Sequence, residues 1–315
     1  VEAVRTKHAE NGGVLGMPGR LAGHGLRWTE HVRRAYWSAF RNGCGNTAKA
    51  TAYSAIFAVF PALLVAAACV SLLPEMAPLR FELANFFNRV LPENVSPLLE
   101  EFFINADRSP QSTRVLIGAG LVGFSGAAGV IATLMEGFRR AYDLPLDAWS
   151  HWHRRLRAYL LVPVSLVPLT IASVLVVFGH YITLLVMGWK RPDVQTVFYV
   201  TANVVRWIVA LSATAAVVAS IYRFGTPKKL SWREVTPGAT FATGTWFLST
   251  LAFGWYVTRY ADYSRVYGSL ATGVVLMAWM FLTALSVLCG AELNAELARV
   301  EHHTSRKPQE IKAKQ

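Results

Sequence analysis

VYGSLATGVVLMAWMFLTALSVLCGAELNAEL, residues 266–297, is the stretch that decides the fold class. Residues 266–291 hold no Asp, Glu, Lys or Arg, and charge returns only with Glu292 and Glu296. A hydrocarbon core ~30 Å thick is crossed by about 20 apolar residues in a helix. Such a helix satisfies every backbone donor and acceptor within the segment, which lipid demands. Five upstream segments read the same way: 50–74, 115–135, 158–189, 194–222 and 235–258. Only 194–222 carries a charge, Arg206. The expected architecture is an all-α membrane protein with six transmembrane helices. Short amphipathic helices are expected at the N-terminus and in the first outer loop. Segment 158–189 is the longest. Pro163 and Pro168 near its start predict a kink, a tilt or an extension beyond the membrane.

Composition agrees. Of 315 residues, 53% are hydrophobic and 16% charged, with a mean hydropathy of +0.34. Soluble domains carry about 25% charged residues. The deficit excludes disorder, a coiled coil and a collagen-like fibre. The net charge of +12 would suggest nucleic acid in a soluble protein. Here its distribution explains it. The stretch before residue 50, the second and fourth loops and the C-terminal tail hold 22 Lys and Arg, whereas the alternate side holds 8. The positive-inside rule places both termini in the cytoplasm. No nucleic-acid partner is expected; membrane lipids are. Trp28, Trp37, Trp149, Trp152, Trp189, Trp232 and Trp255 fall near span ends, as an aromatic belt requires. Cys44, Cys69 and Cys289 form neither a disulfide framework nor a zinc spacing.

Residues 1–25 and 299–315 read as polar tails, with a six-span domain over 50–298. Between the first tail and the first span, residues 26–49 read as an interfacial helix. Leu26, Val32, Tyr36 and Phe40 form its apolar stripe, and Arg27, Arg33, Arg34 and Arg41 face the other way. The alternative is a helix packed on the bundle's own end. The first outer loop, 75–114, reads as two amphipathic helices covering the outer mouth. No internal repeat is visible, so the inverted-repeat pattern of many transporters is missing.

Within the bilayer, Arg206 is the sharpest residue. An arginine at mid-membrane costs at least ~2.5 kcal/mol on insertion scales, so it needs a partner or a wet cavity. Asn203 lies one turn earlier on the same face. This face either binds an anionic headgroup, which guanidinium suits, or makes a structural pair. Gly120, Gly123, Gly126 and Gly129 recur every three residues in 115–135, which favours close helix packing over a narrow path. Glu292 and Glu296 share a face in the last turns of a helix, where the dipole disfavours them and cations are expected. Together with Asn294, Glu136, Arg139, Arg140, Arg223 and Arg233 they predict one charge cluster at the cytoplasmic end. A static clamp is the preferred reading over an inner gate. On the outer side, Asp262, Tyr263, Tyr267 and Gly268 crowd the turn before the last span.

Enzymatic patterns are poor. His151 and His153 form an isolated pair in a loop, and no Walker A, GxSxG, HExxH or CxxC motif occurs. No enzyme, cofactor or metal is expected.

Trp232 with Pro237-Gly238-Ala239, Tyr267-Gly268-Ser269-Leu270 and Gly290-Ala291-Glu292-Leu293-Asn294 form one set of motifs. Ala52-Tyr53 ahead of Phe60-Pro61, and Gly137-Phe138-Arg139-Arg140-Ala141-Tyr142, form another. Together these stretches resemble the YihY/BrkB family of bacterial inner-membrane proteins. The resemblance covers roughly residues 35–298. It implies six helices in the bacterial inner membrane and, for some members, virulence or export of envelope lipids. The label ribonuclease BN given to some members is regarded as a misassignment, and the family supplies no catalytic residues. The leading expectation is a transporter-like protein for an anionic envelope lipid or lipid precursor. A non-transporting scaffold that binds envelope-assembly proteins is the alternative, and a ribonuclease comes last.

Overall fold

The computed structural model describes residues 18–71, 110–148, 150–186, 192–259 and 271–312. Among them the secondary structure is helical throughout. The helices are α1 (Pro18–Arg41), α2 (Cys44–Ser71), α3 (Pro110–Ala141), α4 (His151–Val186), α5 (Pro192–Gly225), α6 (Trp232–Arg259) and α7 (Ala271–Lys312). A short 3-10 turn, Leu146–Ala148, precedes α4. Each apolar segment read from the sequence has a helix along it. Ile117–Ala141, Asn203–Gly225 and Gly273–Val300 are long and apolar enough to cross a membrane, and only 17% of the second window is buried. So much unburied apolar surface needs a solvent other than water.

The ends follow local chemistry. Gly43, at φ +68°, breaks α1 from α2, and its carbonyl accepts the first amides of α2 from Asn46 and Thr47. Asp143 in the left-handed region closes α3, with the Leu144 amide returned to the Arg139 carbonyl and Pro145 following. Ser231 and Glu234 form a reciprocal capping box at the start of α6.

Helices α2 to α7 form a closed ring in chain order, since each packs on the next and α7 returns to α2; α1 lies against α7. The core sits at one end of this ring. Its largest fully buried side chains include Met135, Phe138, Tyr222, Leu288 and Leu293. Large apolar residues elsewhere, such as Leu121, Val205, Ile208, Leu248 and Leu251, face outward.

Two boundaries differ from the sequence reading. Helix α1 starts at Pro18, inside the expected tail, and α7 runs on through the basic tail to Lys312. Apolarity marks the part of a helix that lipid accepts, whereas hydrogen bonding carries the helix further. The buried face of α1 is Ala35, Ser38 and Ala39, while Tyr36, Trp37 and Phe40 are exposed, Phe40 by 81%. Small residues let α1 lie close on α7 and leave its aromatics free. The expected outer-loop helices over 75–114 lie almost wholly outside the described residues. The turn with Asp262, Tyr263, Tyr267 and Gly268 lies entirely outside them.

Candidate functional site

Arg206 lies near the middle of α5. With Asn203, Trp207 and Ala210 it lines a cavity of about 180 Å³. The spacing i, i+3, i+4, i+7 puts all four on one face. The Arg206 Nε is buried and has no hydrogen-bond partner among the described residues. Trp207 meets Phe247 of α6 edge-on at 5.7 Å, which anchors this face beside α6. An unpartnered guanidinium nitrogen at a small cavity is suited to bind an oxyanion, and the Asn203 amide can supply a second donor.

A second set of functional candidates forms the crossing of α6 and α7. Gly238 and Gly290 face each other so closely that a Cβ on either would strike the other's carbonyl. Pro237 has no amide hydrogen, so the Arg233 carbonyl loses its helical donor near the start of α6. Asn294 of α7 ties the backbone on either side of that proline. Its Oδ1 accepts from the Gly238 amide at 2.7 Å, and its Nδ2 donates to the Val235 carbonyl at 3.1 Å. Tyr222 closes the third side by donating to the Val287 carbonyl at 2.5 Å.

Glu292 is fully buried. Its Oε1 accepts from Asn42 Nδ2 at 2.7 Å and from the Cys44 thiol at 3.6 Å, while Oε2 is buried with no hydrogen-bond partner among the described residues. Burial pushes the Cys44 thiol well above the usual range, and Glu292 and then Cys289 add to it. This thiol is a hydrogen-bond donor rather than a nucleophile. Replacing Glu292 by alanine should lower stability by about 2–3 kcal/mol, since it strands the Asn42 amide and opens a cavity. Glu292→Gln keeps the acceptor and should cost less than half as much. Thermal melts of the two purified variants check this order.

The single charge cluster expected at this end is divided into separate groups. Glu136 takes Arg139 through two bonds of 2.7 and 3.0 Å, Arg140 at 3.2 Å and Arg154 of α4 at 3.5 Å. Glu296 meets Arg299 at 3.4 Å and Arg34 of α1 at 3.9 Å. Arg299 also ties α7 to the end of α3 through the Ala141 carbonyl at 2.7 Å and Asp143 at 2.8 Å. Arg223 stacks over Trp232 at 4.8 Å, and Arg233 is exposed on the first turn of α6. Glu292 and Glu296 share a helix face but not a depth. One turn separates the core from the rim, so the α1–α2 turn and the start of α2 cover Glu292 with neutral donors while Glu296 reaches arginines. Sequence reasoning misses Asn42 and Cys44, because no local pattern ties Asn42 to a residue 250 positions away.

The glycine row is divided as well. Gly123 and Gly126 touch Pro61, Ala62 and Ala58 of α2, whereas a Cβ at Gly129 would meet nothing within 4 Å. Residues three apart are rotated by ~300°, so successive glycines drift ~60° around the helix and cannot share one neighbour.

A profile of the virulence factor BrkB family matches residues 36–315. Among curated relatives, a ribonuclease-like protein named YfkH from Bacillus subtilis is 32% identical over 52% of this chain and 58% of its own. A UPF0761 membrane protein of Vibrio vulnificus is 30% identical over 42% of each chain, and one of Tolumonas auensis is 24% identical over 78% of each. The chain spans about half the length of the first two. No solved structure matches. The match of one family profile to nearly the whole ring of apolar helices makes this chain a membrane protein of the virulence factor BrkB family.

Proposed function

We propose that this protein crosses the bacterial inner membrane six times, with both termini in the cytoplasm, and moves an anionic envelope lipid or lipid precursor. No step of this requires enzymatic chemistry. The observation that carries the reading is the Arg206 cavity, where a guanidinium nitrogen inside an apolar helix has no hydrogen-bond partner among the described residues. Such a group is costly in lipid unless something uses it. A phosphate or carboxylate headgroup supplies the missing acceptor. The cavity of about 180 Å³ offers a headgroup a place beside Asn203 and Trp207. Basic residues gathered at the end where α3 meets α4 and α5 meets α6 support the orientation.

Purified protein in vesicles of phosphatidylcholine with fluorescent phosphatidylglycerol tests the reading through the rate at which label changes leaflet. Wild-type protein should accelerate exchange. Arg206→Ala should slow it about tenfold or more, the worth of one charge-assisted hydrogen bond. Arg206→Lys should fall between, since it keeps charge but loses the planar fork. Equal rates in all three remove Arg206 from the mechanism. No exchange by wild type, with a stable envelope protein recovered on pull-down, favours the scaffold reading.

A further inference from the structure

A second cavity of about 230 Å³ opens between α3 and α4, away from Arg206. Its rim is basic, with His151, Arg154 and Arg155 on the first turn of α4. Its exposed side carries hydroxyls, since Ser125 and Tyr159 meet there at 3.2 Å and Arg155 lies beside the Tyr159 hydroxyl. One wall is Ala128, Gly129 and Ala132, and their small size leaves the space open.

Charge at this corner is unbalanced. Residues 136–157 hold five arginines against three acids, and one of those acids, Asp143, is taken by Arg299. Glu136 alone serves Arg139, Arg140 and Arg154. An anion at the rim completes what one carboxylate cannot. The flank is apolar: Leu156, Leu160 and Val164 lie one turn apart along α4 and are exposed. Phe124 of α3 stands 5.6 Å from the Tyr159 ring. Pockets that enclose a drug-sized ligand run to roughly 300–1,000 Å³, so this one suits a headgroup whose tails stay outside.

We propose that the α3–α4 cleft, with Arg154 and Arg155 at its rim and the Ser125 and Tyr159 hydroxyls on its exposed side, holds the phosphate of an anionic membrane phospholipid. The acyl chains lie along Leu156, Leu160 and Val164. This site does not depend on transport at Arg206. Free phosphate has the same oxygens but nothing for the apolar flank, so the lipid is the occupant the whole surface fits.

The test uses the full chain in phosphatidylcholine nanodiscs containing a photoactivatable acyl-chain phosphatidylglycerol, with crosslinked peptides mapped. Crosslinks should fall on the peptide holding Leu156 to Val164, and a phosphatidylcholine probe should give far fewer. Arg154→Ala with Arg155→Ala should cut them about tenfold. Gly129→Leu fills the cleft without removing any charge and should do the same, so the test stands even if the arginine variant fails to fold. Arg206→Ala should leave them unchanged. Equal labelling by both probes, or labelling that survives both cleft variants, overturns the proposal. Loss of crosslinks in excess glycerol phosphate also overturns it, because the site then takes a soluble anion.

Discussion

Gly290→Ala should destabilise the folded protein by about 3 kcal/mol, the upper part of the range for overpacking, and Gly290→Val should leave little folded protein to purify. The added Cβ would sit 2.5 Å from the Tyr222 hydroxyl and 2.7 Å from the Ala242 Cβ, and closer still to the Gly238 carbonyl oxygen. Backbone cannot swing aside as the tip of a long side chain can, so α6 and α7 must separate. Separation also breaks the bonds from Asn294. The contrast is Gly244→Ala on α6, where a Cβ meets nothing within 4 Å. Alanine there should be neutral or stabilising by up to ~1 kcal/mol, because glycine is a poor helix former. Melting of the detergent-solubilised variants, read as loss of the monodisperse peak with temperature, checks both. A Gly290→Ala protein that melts with wild type would mean that α6 and α7 do not cross at these glycines.

Asn294→Leu should cost up to about 3 kcal/mol by a different route. The side chains are of similar size, so the loss is polar. The Gly238 amide and the Val235 carbonyl each lose a buried hydrogen bond that leucine cannot replace, at ~0.5–1.5 kcal/mol apiece. Asn294→Asp is the sharper variant. It keeps an acceptor for the Gly238 amide but sets a carboxylate oxygen against the Val235 carbonyl oxygen. It should be at least as damaging as leucine. If Asp were tolerated and Leu were not, only the acceptor half of the bridge would matter. The same melt, with proteolysis of the α5–α6 connection as an independent readout, separates these outcomes.

The two variants explain why the motifs that carried the family resemblance lie where they do. Pro237-Gly238-Ala239 and Gly290-Ala291-Glu292-Leu293-Asn294 are far apart in the chain and adjacent in the fold. Taken as sequence, the glutamates at 292 and 296 are a pair of acids in need of cations. In the structure the segment from Gly290 to Asn294 is a contact surface: Gly290 for approach, Asn294 for bonds to the backbone on either side of Pro237, Glu292 for closure by the α1–α2 turn. The pairing of Glu136 with Arg139 and Arg140 was legible because i, i+3 and i, i+4 neighbours meet on any helix. Arg154 joining them was not, since it comes from the next helix. Arg206 stood out because a lone charge in an apolar run is costly wherever the helix points. The cavity beside it depends on how α5 packs, which no local pattern reports.

The amino-acid sequence alone determined that this chain is helical, that its helices are lipid-facing and where each one runs through its apolar stretch. Those properties are local: some twenty apolar residues must close their own hydrogen bonds, and any window of the chain reports it. Tertiary structure decided how each helix is turned about its axis and which one it touches. Gly290 is sealed while Gly129 opens on a cleft, and Glu292 answers to Asn42 rather than to an arginine. Rotation and partner choice depend on how two distant surfaces fit together, and lipid, equally apolar on every side, gives a single helix no reason to prefer one face.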